Sequence, residues 1–124
     1  MRDLADLFGS EKPIVAVVHL PPLSPGDQEG SIEGIVERAV NEARILEEEG
    51  VEGILVENYG DFPYPAEESN PLVISLMAVV VREVVREVGL PVGVNILRNS
   101  AVSSFSVALA SGGSFIWSMS VVIR

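Results

Sequence analysis

The sequence contains no cysteine and a single histidine, His19, and aromatic residues make up only 6% of it. Without cysteine the chain can form no disulfide and offers no thiolate nucleophile or metal ligand. The one histidine and the scattered carboxylates lack any metal-ligand spacing such as H-x-x-x-H, so no metal site is predicted. No G-x-G-x-x-G motif follows the first apolar run, which excludes the usual dinucleotide-binding form, and the sequence identifies no cofactor.

Positive charge is also scarce, because 8 lysines and arginines face 18 acidic residues and leave a net charge of −10. A negative field repels phosphate backbones, so we expect no nucleic-acid partner. Long apolar runs are missing as well, since none reaches the roughly 18 residues that a membrane span requires. The start of the chain is too acidic for a secretory signal. We therefore expect a cytoplasmic protein without membrane insertion.

Apolar residues are nonetheless abundant, at 48% of the chain, and they occur in short runs that alternate with helical segments. Strands are predicted at residues 14–18, 54–56, 92–97 and 115–117, and helices at about residues 32–49, 71–88 and 101–110. Ser31 and Asn70 are predicted to cap the first two helices. The β-α-β-α-β-α-β order predicts one α/β domain with a parallel sheet whose strands are buried on both faces.

Polar residues follow the first three predicted strands. They are His19, Glu57, Asn58, Asn95, Arg98 and Asn99. Two architectures fit the order of elements: a doubly wound open sheet and part of a (β/α)₈ barrel. In a barrel all strand ends meet on one rim, where active sites lie, whereas in an open sheet only those beside the switch point share a crevice. The polar strand ends therefore favour the barrel.

The rim of this barrel is predicted to bind a small polar or anionic ligand. Glu57 is the candidate general base or hydroxyl-binding group, and His19 is the second catalytic candidate because histidine changes charge near neutral pH. Arg98 is the candidate anion clamp. The remaining ligand-binding candidates are three amides and one loop carboxylate: Asn58, Asp61, Asn95 and Asn99.

Each of these candidates also has a structural alternative. His19 can be held by the backbone, and Glu57 and Arg98 can form an ion pair that bridges neighbouring strands. The three asparagines can cap helices or fix loops. For Asp61, a role in shaping its loop is favoured over a chemical role.

Three strings that contain these residues resemble the BtpA family: VHLPPL at 18–23, VENYGD at 56–61 and GVNILRN at 93–99. The resemblance extends over about residues 12–116. The family takes its name from a factor needed for photosystem I biogenesis and has relatives in sugar-metabolism gene clusters. The resemblance implies a TIM-barrel fold in a chain about twice this long, and it implies no particular reaction.

Two departures from the family pattern affect what this chain can form. Ser100 stands where family members usually have an aspartate, and residues 117–124 lack the polar end that the fourth strand should have. We therefore expect residues 1–124 to be the N-terminal half of the barrel, with about four strands and three helices, produced by truncation or by a change of reading frame. A half barrel has two unpaired strand edges, which favour self-association.

Three functions follow from these patterns as alternatives. The first is a small-molecule-binding barrel, or an enzyme that acts on a sugar- or nucleotide-like phosphorylated ligand. The second is a role in assembling a membrane complex, which the family name implies. The third is a non-functional fragment of a longer gene.

Overall fold

Four parallel strands lie at the centre of the structure, a computed structural model that describes residues 3–23, 31–61, 64–65, 70–97 and 100–117. In chain order the strands are β1 (Val15–His19), β2 (Gly53–Glu57), β3 (Val92–Asn95) and β4 (Phe115–Ile116). The helices are α1 (Leu4–Phe8), α2 (Ile32–Glu48), α3 (Pro71–Glu87) and α4 (Ala101–Ser111), and a 3₁₀ helix covers Tyr59–Asp61.

The strands are hydrogen-bonded in the order β1-β2-β3-β4, and every pair is parallel. A doubly wound sheet reverses its strand order at a switch point, whereas a (β/α)₈ barrel keeps the order of the chain. The predicted α/β class and TIM-barrel type are therefore confirmed, as a partial barrel. The predicted strands and helices agree with the observed ones to within two residues at each end.

The caps that the sequence predicts are present at the start of α2 and α3. Ser31 Oγ accepts the Gly34 N–H at 3.0 Å, and Asn70 Oδ1 accepts the Leu72 N–H at 2.9 Å. Each side chain satisfies one of the N–H groups that have no partner inside the helix. After α2, Gly50 adopts a φ of 93°, a left-handed conformation that turns the chain towards β2.

The short helix α1 is not among the predicted elements. Asp3 caps it by accepting a backbone N–H of its first turn at 2.8 Å, and Gly9 ends it with a φ of 74°. Both signals stand in the sequence, but five residues are too few for an apolar stripe to be recognised. Phe8 places its ring over Gly53 and packs edge-on against Phe115, with the ring centroids 5.2 Å apart.

The two faces of the sheet differ in how completely they are covered. The face towards α2, α3 and α4 carries side chains that are at most 2% exposed: Val18, Ile54, Val56, Val92, Val94 and Ile96. The opposite, inner face is the one that lines the interior of a closed barrel, and Val17 on it is 40% exposed. The expectation that β1 is buried on both faces is therefore wrong, because four strands cannot close around their own inner face.

The inner face and α1 border an open cavity of about 550 Å³. Apolar side chains make up nearly all of its lining: Leu4, Leu7, Phe8, Pro13, Val15, Val17, Leu55, Phe115, Ile116 and Trp117. Glu57 is the one charged residue in this lining. Within the residues that the structure describes, no helix is both long enough and apolar enough to cross a membrane.

Candidate functional site

Three polar side chains form a row across the carboxyl ends of the first three strands. The strand register pairs His19 with Glu57, and Glu57 with Asn95. Because side chains alternate along a strand, His19 and Glu57 project to the same face as Val17 and Leu55, two positions earlier. The row therefore lies on the inner face, at the edge where a barrel has its active-site rim. We call His19, Glu57 and Asn95 the rim row.

Glu57 is the middle member of the rim row, and each of its carboxylate oxygens faces a neighbour. Oε2 accepts a hydrogen bond from Asn95 Nδ2 at 2.9 Å, and Oε1 lies 3.6 Å from His19 Nε2. The side chain is 15% exposed, so solvent reaches it although both neighbours restrict its orientation. Among the described residues no lysine or arginine pairs with it. The carboxylate therefore keeps accepting capacity for a ligand.

His19 is the most exposed member of the rim row, with 51% of its side chain accessible. Its ring stacks on the ring of Tyr59, with centroids 4.4 Å apart and an interplanar angle of 19°. The 3.6 Å distance to Glu57 is too long for a good hydrogen bond, and it becomes an ion pair only when the imidazole is protonated. The ring of His19 is thus positioned by Glu57 and Tyr59 rather than by the backbone.

Asn58 and Asp61 are buried, and they connect the segments that follow three strands. Asn58 Oδ1 accepts the Leu97 N–H at 2.7 Å, and Asn58 Nδ2 donates to Asp61 Oδ2 at 3.4 Å. Asp61 Oδ1 accepts the Leu23 N–H at 2.6 Å. These bonds favour the structural alternative for both residues, and a ligand-binding role for either stays a prediction.

Gly60 allows the segments after β1 and β2 to approach each other closely. Its N–H donates to the Leu20 carbonyl at 2.9 Å, and a Cβ at this position would lie 2.5 Å from backbone atoms of Pro21 and Pro22. The Leu20 N–H in turn donates to the Glu57 carbonyl at 2.9 Å. The strings HLPPL and ENYGD therefore form one packed unit that fixes the ends of β1 and β2.

Arg98 and Asn99 lie outside the described residues. The anion clamp predicted at Arg98, its alternative ion pair with Glu57, and the ligand-binding role of Asn99 therefore stay predictions. The structure brings together His19, Glu57 and Asn95 from the predicted set, with Asn58 and Asp61 beside them in the loops.

Two aromatic residues at this edge are absent from the predicted site. Tyr59 supplies the stacking partner of His19. The backbone N–H of Trp117 donates to the Val94 carbonyl at 3.1 Å. This bond continues the β3–β4 ladder and places Trp117 next to Asn95. Its side chain is 54% exposed and lines the same cavity as Glu57. The sequence signal for Trp117 is positional, because it follows Phe115 by two residues on the inward side of the fourth strand.

Tyr64, which lies near the rim row, has a shifted pKa. Its hydroxyl donates to the Tyr59 carbonyl at 2.5 Å. Burial raises the pKa of Tyr64 above its usual value, and the nearby Tyr59, Glu57 and Asp61 raise it further, because each disfavours a phenolate. In the part of the chain that is described, no three His, Asp or Glu side chains are grouped to hold a metal ion.

The rim row combines groups that suit the recognition of a small polar molecule. A carboxylate held between an amide and an imidazole accepts hydrogen bonds from hydroxyl or amine groups, and it can also take up a proton from a bound ligand. The stacked rings of His19 and Tyr59 add a flat surface beside it. The arrangement therefore offers one charged acceptor and one flat face at the open side of the sheet.

Comparison with known proteins places this geometry in a family. The model of the BtpA family matches residues 10–123, and so continues past Trp117, where the sequence pattern indicates a departure. The chain is 47% identical over 107 residues to an uncharacterised protein of Pyrococcus abyssi, which covers 85% of the chain and 40% of that protein.

Two further relatives carry more informative names. The chain is 40% identical over 115 residues to the photosystem I biogenesis protein BtpA of Synechocystis, covering 92% of the chain and 40% of that protein. It is 29% identical over 120 residues to the putative sgc region protein SgcQ of Escherichia coli, covering 94% and 44%. The chain thus spans less than half the length of these relatives.

Proposed function

Because this chain belongs to the BtpA family, we propose that residues 1–124 are the N-terminal half of a (β/α)₈ barrel whose rim binds a small polar ligand through Glu57. The relatives are more than twice as long as the aligned segment, so they have room for the remaining strands. In a barrel the rim at the carboxyl ends of the strands is where ligands bind. The rim row occupies that position.

The single observation that carries this proposal is the environment of Glu57. A carboxylate at the end of a strand is costly to desolvate unless it is hydrogen-bonded, so its presence there indicates a functional role. The Asn95 amide satisfies part of it, and the described residues provide no arginine or lysine partner. The carboxylate is accordingly held in place by Asn95, and its remaining lone pairs can accept a hydrogen bond from a ligand.

The ligand that these groups fit best carries hydroxyl or amine donors for Glu57 and a flat or apolar side for the His19–Tyr59 stack. Such a ligand is small, polar and uncharged or cationic, since the net charge of −10 disfavours anions in general. A phosphorylated ligand is the alternative. It requires the anion clamp at Arg98, with Asn99 beside it.

In the complete barrel, Glu57 acts as a general base towards a ligand hydroxyl or carbon acid, and His19 assists by exchanging the proton at Nε2. The 3.6 Å distance between His19 Nε2 and Glu57 Oε1 suits a pair that shares a proton after small movements of the exposed imidazole ring. Asn95 fixes the rotation of the carboxylate through Oε2.

A thermal-shift screen tests the ligand proposal on this chain. The probes are ribose and glucose and their phosphate esters, so that neutral and anionic forms of the same molecule are compared. We expect at least one probe to raise the melting temperature, and Glu57→Gln to remove that rise because the amide loses the negative charge. Glu83→Gln, on the outer helix α3, is the matched control and should keep the rise.

The two forms of each probe separate the two ligand classes. A rise in melting temperature that occurs only with the phosphate esters and is lost in Arg98→Ala would favour the anionic ligand. A rise in melting temperature that is the same in Glu57→Gln as in the unchanged chain would contradict the role of Glu57.

A role in photosystem I biogenesis is the second candidate, and the likeness to the Synechocystis protein favours it. Such a role would use an exposed surface to contact other proteins rather than the rim row. Expression of this chain in a Synechocystis strain that lacks its own relative tests it. Recovery of photosystem I that persists with Glu57→Gln would support this candidate, and failure to recover any would count against it.

A further inference from the structure

We propose that two copies of this chain associate through a twofold axis to close an eight-stranded parallel barrel, in which β4 of each copy pairs with β1 of the other and the two rim rows face each other. The inference rests on the half-barrel part of the proposed function and not on ligand binding by Glu57. Three features of the chain support this association: the free edges of the sheet, the distribution of charge and the exposed apolar surface.

Both edges of the sheet are free in the described part of the chain. β1 pairs with β2 alone, and β4 pairs with β3 alone. In a parallel sheet with its strands in chain order, the β4 edge can pair with the β1 edge of a second identical sheet, and all strands then point in the same direction. Two such sheets give eight strands, the number at which a (β/α) barrel closes and no edge remains. Closure by a twofold axis also makes both contacts identical, as in most homodimers.

The edge formed by α4 and β4 carries no charge. Residues 100–117 contain no Asp, Glu, Lys or Arg, although the whole chain has 26 charged residues of these types, 18 acidic and 8 basic. A solvated face usually contains charged side chains, whereas the core of an interface is depleted of them. This segment therefore has the composition of a surface that another protein covers.

The same segment exposes an apolar stripe. Val102, Phe105 and Leu109 recur at helical spacing on α4 and are 71%, 55% and 71% exposed. Phe105 and Leu109 also line an open groove of about 210 Å³ between α4 and β4. In a (β/α) barrel this flank of a helix packs against the next strand–helix unit. At the other edge, Ile14 immediately before β1 is 63% exposed, which provides an apolar counterpart.

The inner face also exposes apolar side chains. Val17 and Trp117 are 40% and 54% exposed and line the open cavity of about 550 Å³. Barrels of this size have interiors filled by side chains and not by water. A second copy brings its own inner face opposite this one, so the apolar side chains of the two cavities cover each other. Glu57 and Asn95 of the two copies then lie on one common rim, which completes the site.

The sole tryptophan reports on this closure directly. Light scattering of the full chain at high concentration should give twice the 13.3 kDa of one chain. The emission of Trp117 should lie at short wavelengths in that sample and shift to longer wavelengths on dilution, as the indole becomes exposed. No ligand is added, so failure of this test leaves the ligand proposal for Glu57 standing, and failure of the ligand screen leaves this inference standing.

Two lysine substitutions on exposed helix positions locate the interface. Leu109→Lys on α4 should weaken the dimer at least tenfold, whereas Val79→Lys on α3, 46% exposed, should leave it unchanged. Circular dichroism should show that both variants stay folded, because neither side chain belongs to the core. A monomer at every concentration with an exposed Trp117, an open-ended series of oligomers, or equal effects of the two lysines would overturn the inference.

Discussion

Val17 and Val18 are neighbours on β1, and they lie on opposite faces of the sheet. Val18 is 1% exposed beneath the helices, whereas Val17 is 40% exposed on the inner face. The same contrast holds one strand away for two polar neighbours, since Glu57 belongs to the open rim row and Asn58 is fully buried among loop backbone. One face of this sheet is thus complete within the chain, and the other is not.

The contrast separates the residues that hold this fold together from those available for function. On the covered face, packing and hydrogen bonds are satisfied inside the chain, so a substitution there should cost stability. On the inner face, the exposed side chains such as Val17 and Trp117 have room beside them, so a substitution there should be tolerated better. Matched pairs of variants across the two faces therefore test this difference between them.

The largest difference in the free energy of unfolding is expected between variants of two buried asparagines, Asn58 in the loops and Asn95 on the inner face. Asn58→Ala removes the acceptor of the Leu97 N–H, which is partly buried, and the donor to the buried Asp61 carboxylate. We expect a loss of about 3 kcal/mol in the free energy of unfolding. Asn95→Ala removes one bond to the partly exposed Glu57, and water can replace it, so about 1 kcal/mol or less is expected.

Chemical denaturation of the two variants in dilute solution measures this difference. Asn58→Asp sharpens the comparison, because it places a second carboxylate beside Asp61 in a buried position. Equal losses for Asn58→Ala and Asn95→Ala would show that the two faces are not distinct in the way described.

The second pair of variants adds one methyl group at a glycine on each side. Gly60→Ala directs Cβ at the backbone of Pro21 and Pro22, which cannot move independently, and should cost about 2 kcal/mol. Gly93→Ala directs Cβ at the ring of Phe115, a partly exposed side chain that can rotate into the open cavity. We expect this variant to lose less than about 1 kcal/mol.

Thermal unfolding of both alanine variants in dilute solution provides the measurement. Gly89→Ala is a suitable control, because a Cβ there makes only an ordinary contact of 3.5 Å with Glu47. A larger loss for Gly93→Ala than for Gly60→Ala would mean that the inner face is already packed in the single chain.

The third pair truncates adjacent valines. Val18→Ala removes two methyl groups from the covered core and should cost on the order of 2 kcal/mol. Val17→Ala should cost about 0.5 kcal/mol or less while the inner face is open. If two copies close the barrel, the cost of Val17→Ala should grow with protein concentration, and that of Val18→Ala should not.

The smallest effect concerns alkaline pH. The pKa of Tyr64 is raised by burial and by its acidic and phenolic neighbours, so the folded state holds this proton more tightly than the unfolded state. The stabilisation is fully present below the unfolded pKa of about 10 and is lost as pH rises through the folded value. Tyrosinate formation, followed by ultraviolet absorbance, should require a higher pH in the folded chain than in the unfolded chain, and Tyr64→Phe should reduce that difference. A difference that Tyr64→Phe leaves unchanged would contradict the environment described for Tyr64.

Much of the fold follows from the sequence because its signals are local. Apolar runs and the caps at Ser31 and Asn70 act within a few residues, and the structure confirms them. The helix α1 is not predicted, because its five residues are too few to show an apolar stripe. The exposure of the inner face is not predicted either, because a sequence pattern shows which residues are apolar but not what covers them.

The candidate site is predictable only in part, for a related reason. The position of Glu57 and Asn95 on one rim follows from strand ends, which the chain order defines. The role of Asn58 depends on a hydrogen bond to Leu97, 39 residues further along the chain, which no local pattern encodes. Similarly, the stacking of His19 on Tyr59 depends on how two loops pack around Gly60.

Single-cysteine labelling tests the difference between the two faces most directly, since the chain has no cysteine of its own. Val17→Cys and Val18→Cys place the same thiol on opposite faces of β1. We expect Val18→Cys to resist a thiol reagent at every protein concentration, and Val17→Cys to react rapidly in dilute solution and slowly in concentrated solution. Equal reaction rates at the two positions, or a Val17→Cys that is protected even at high dilution, would contradict a sheet with one complete face and one open face.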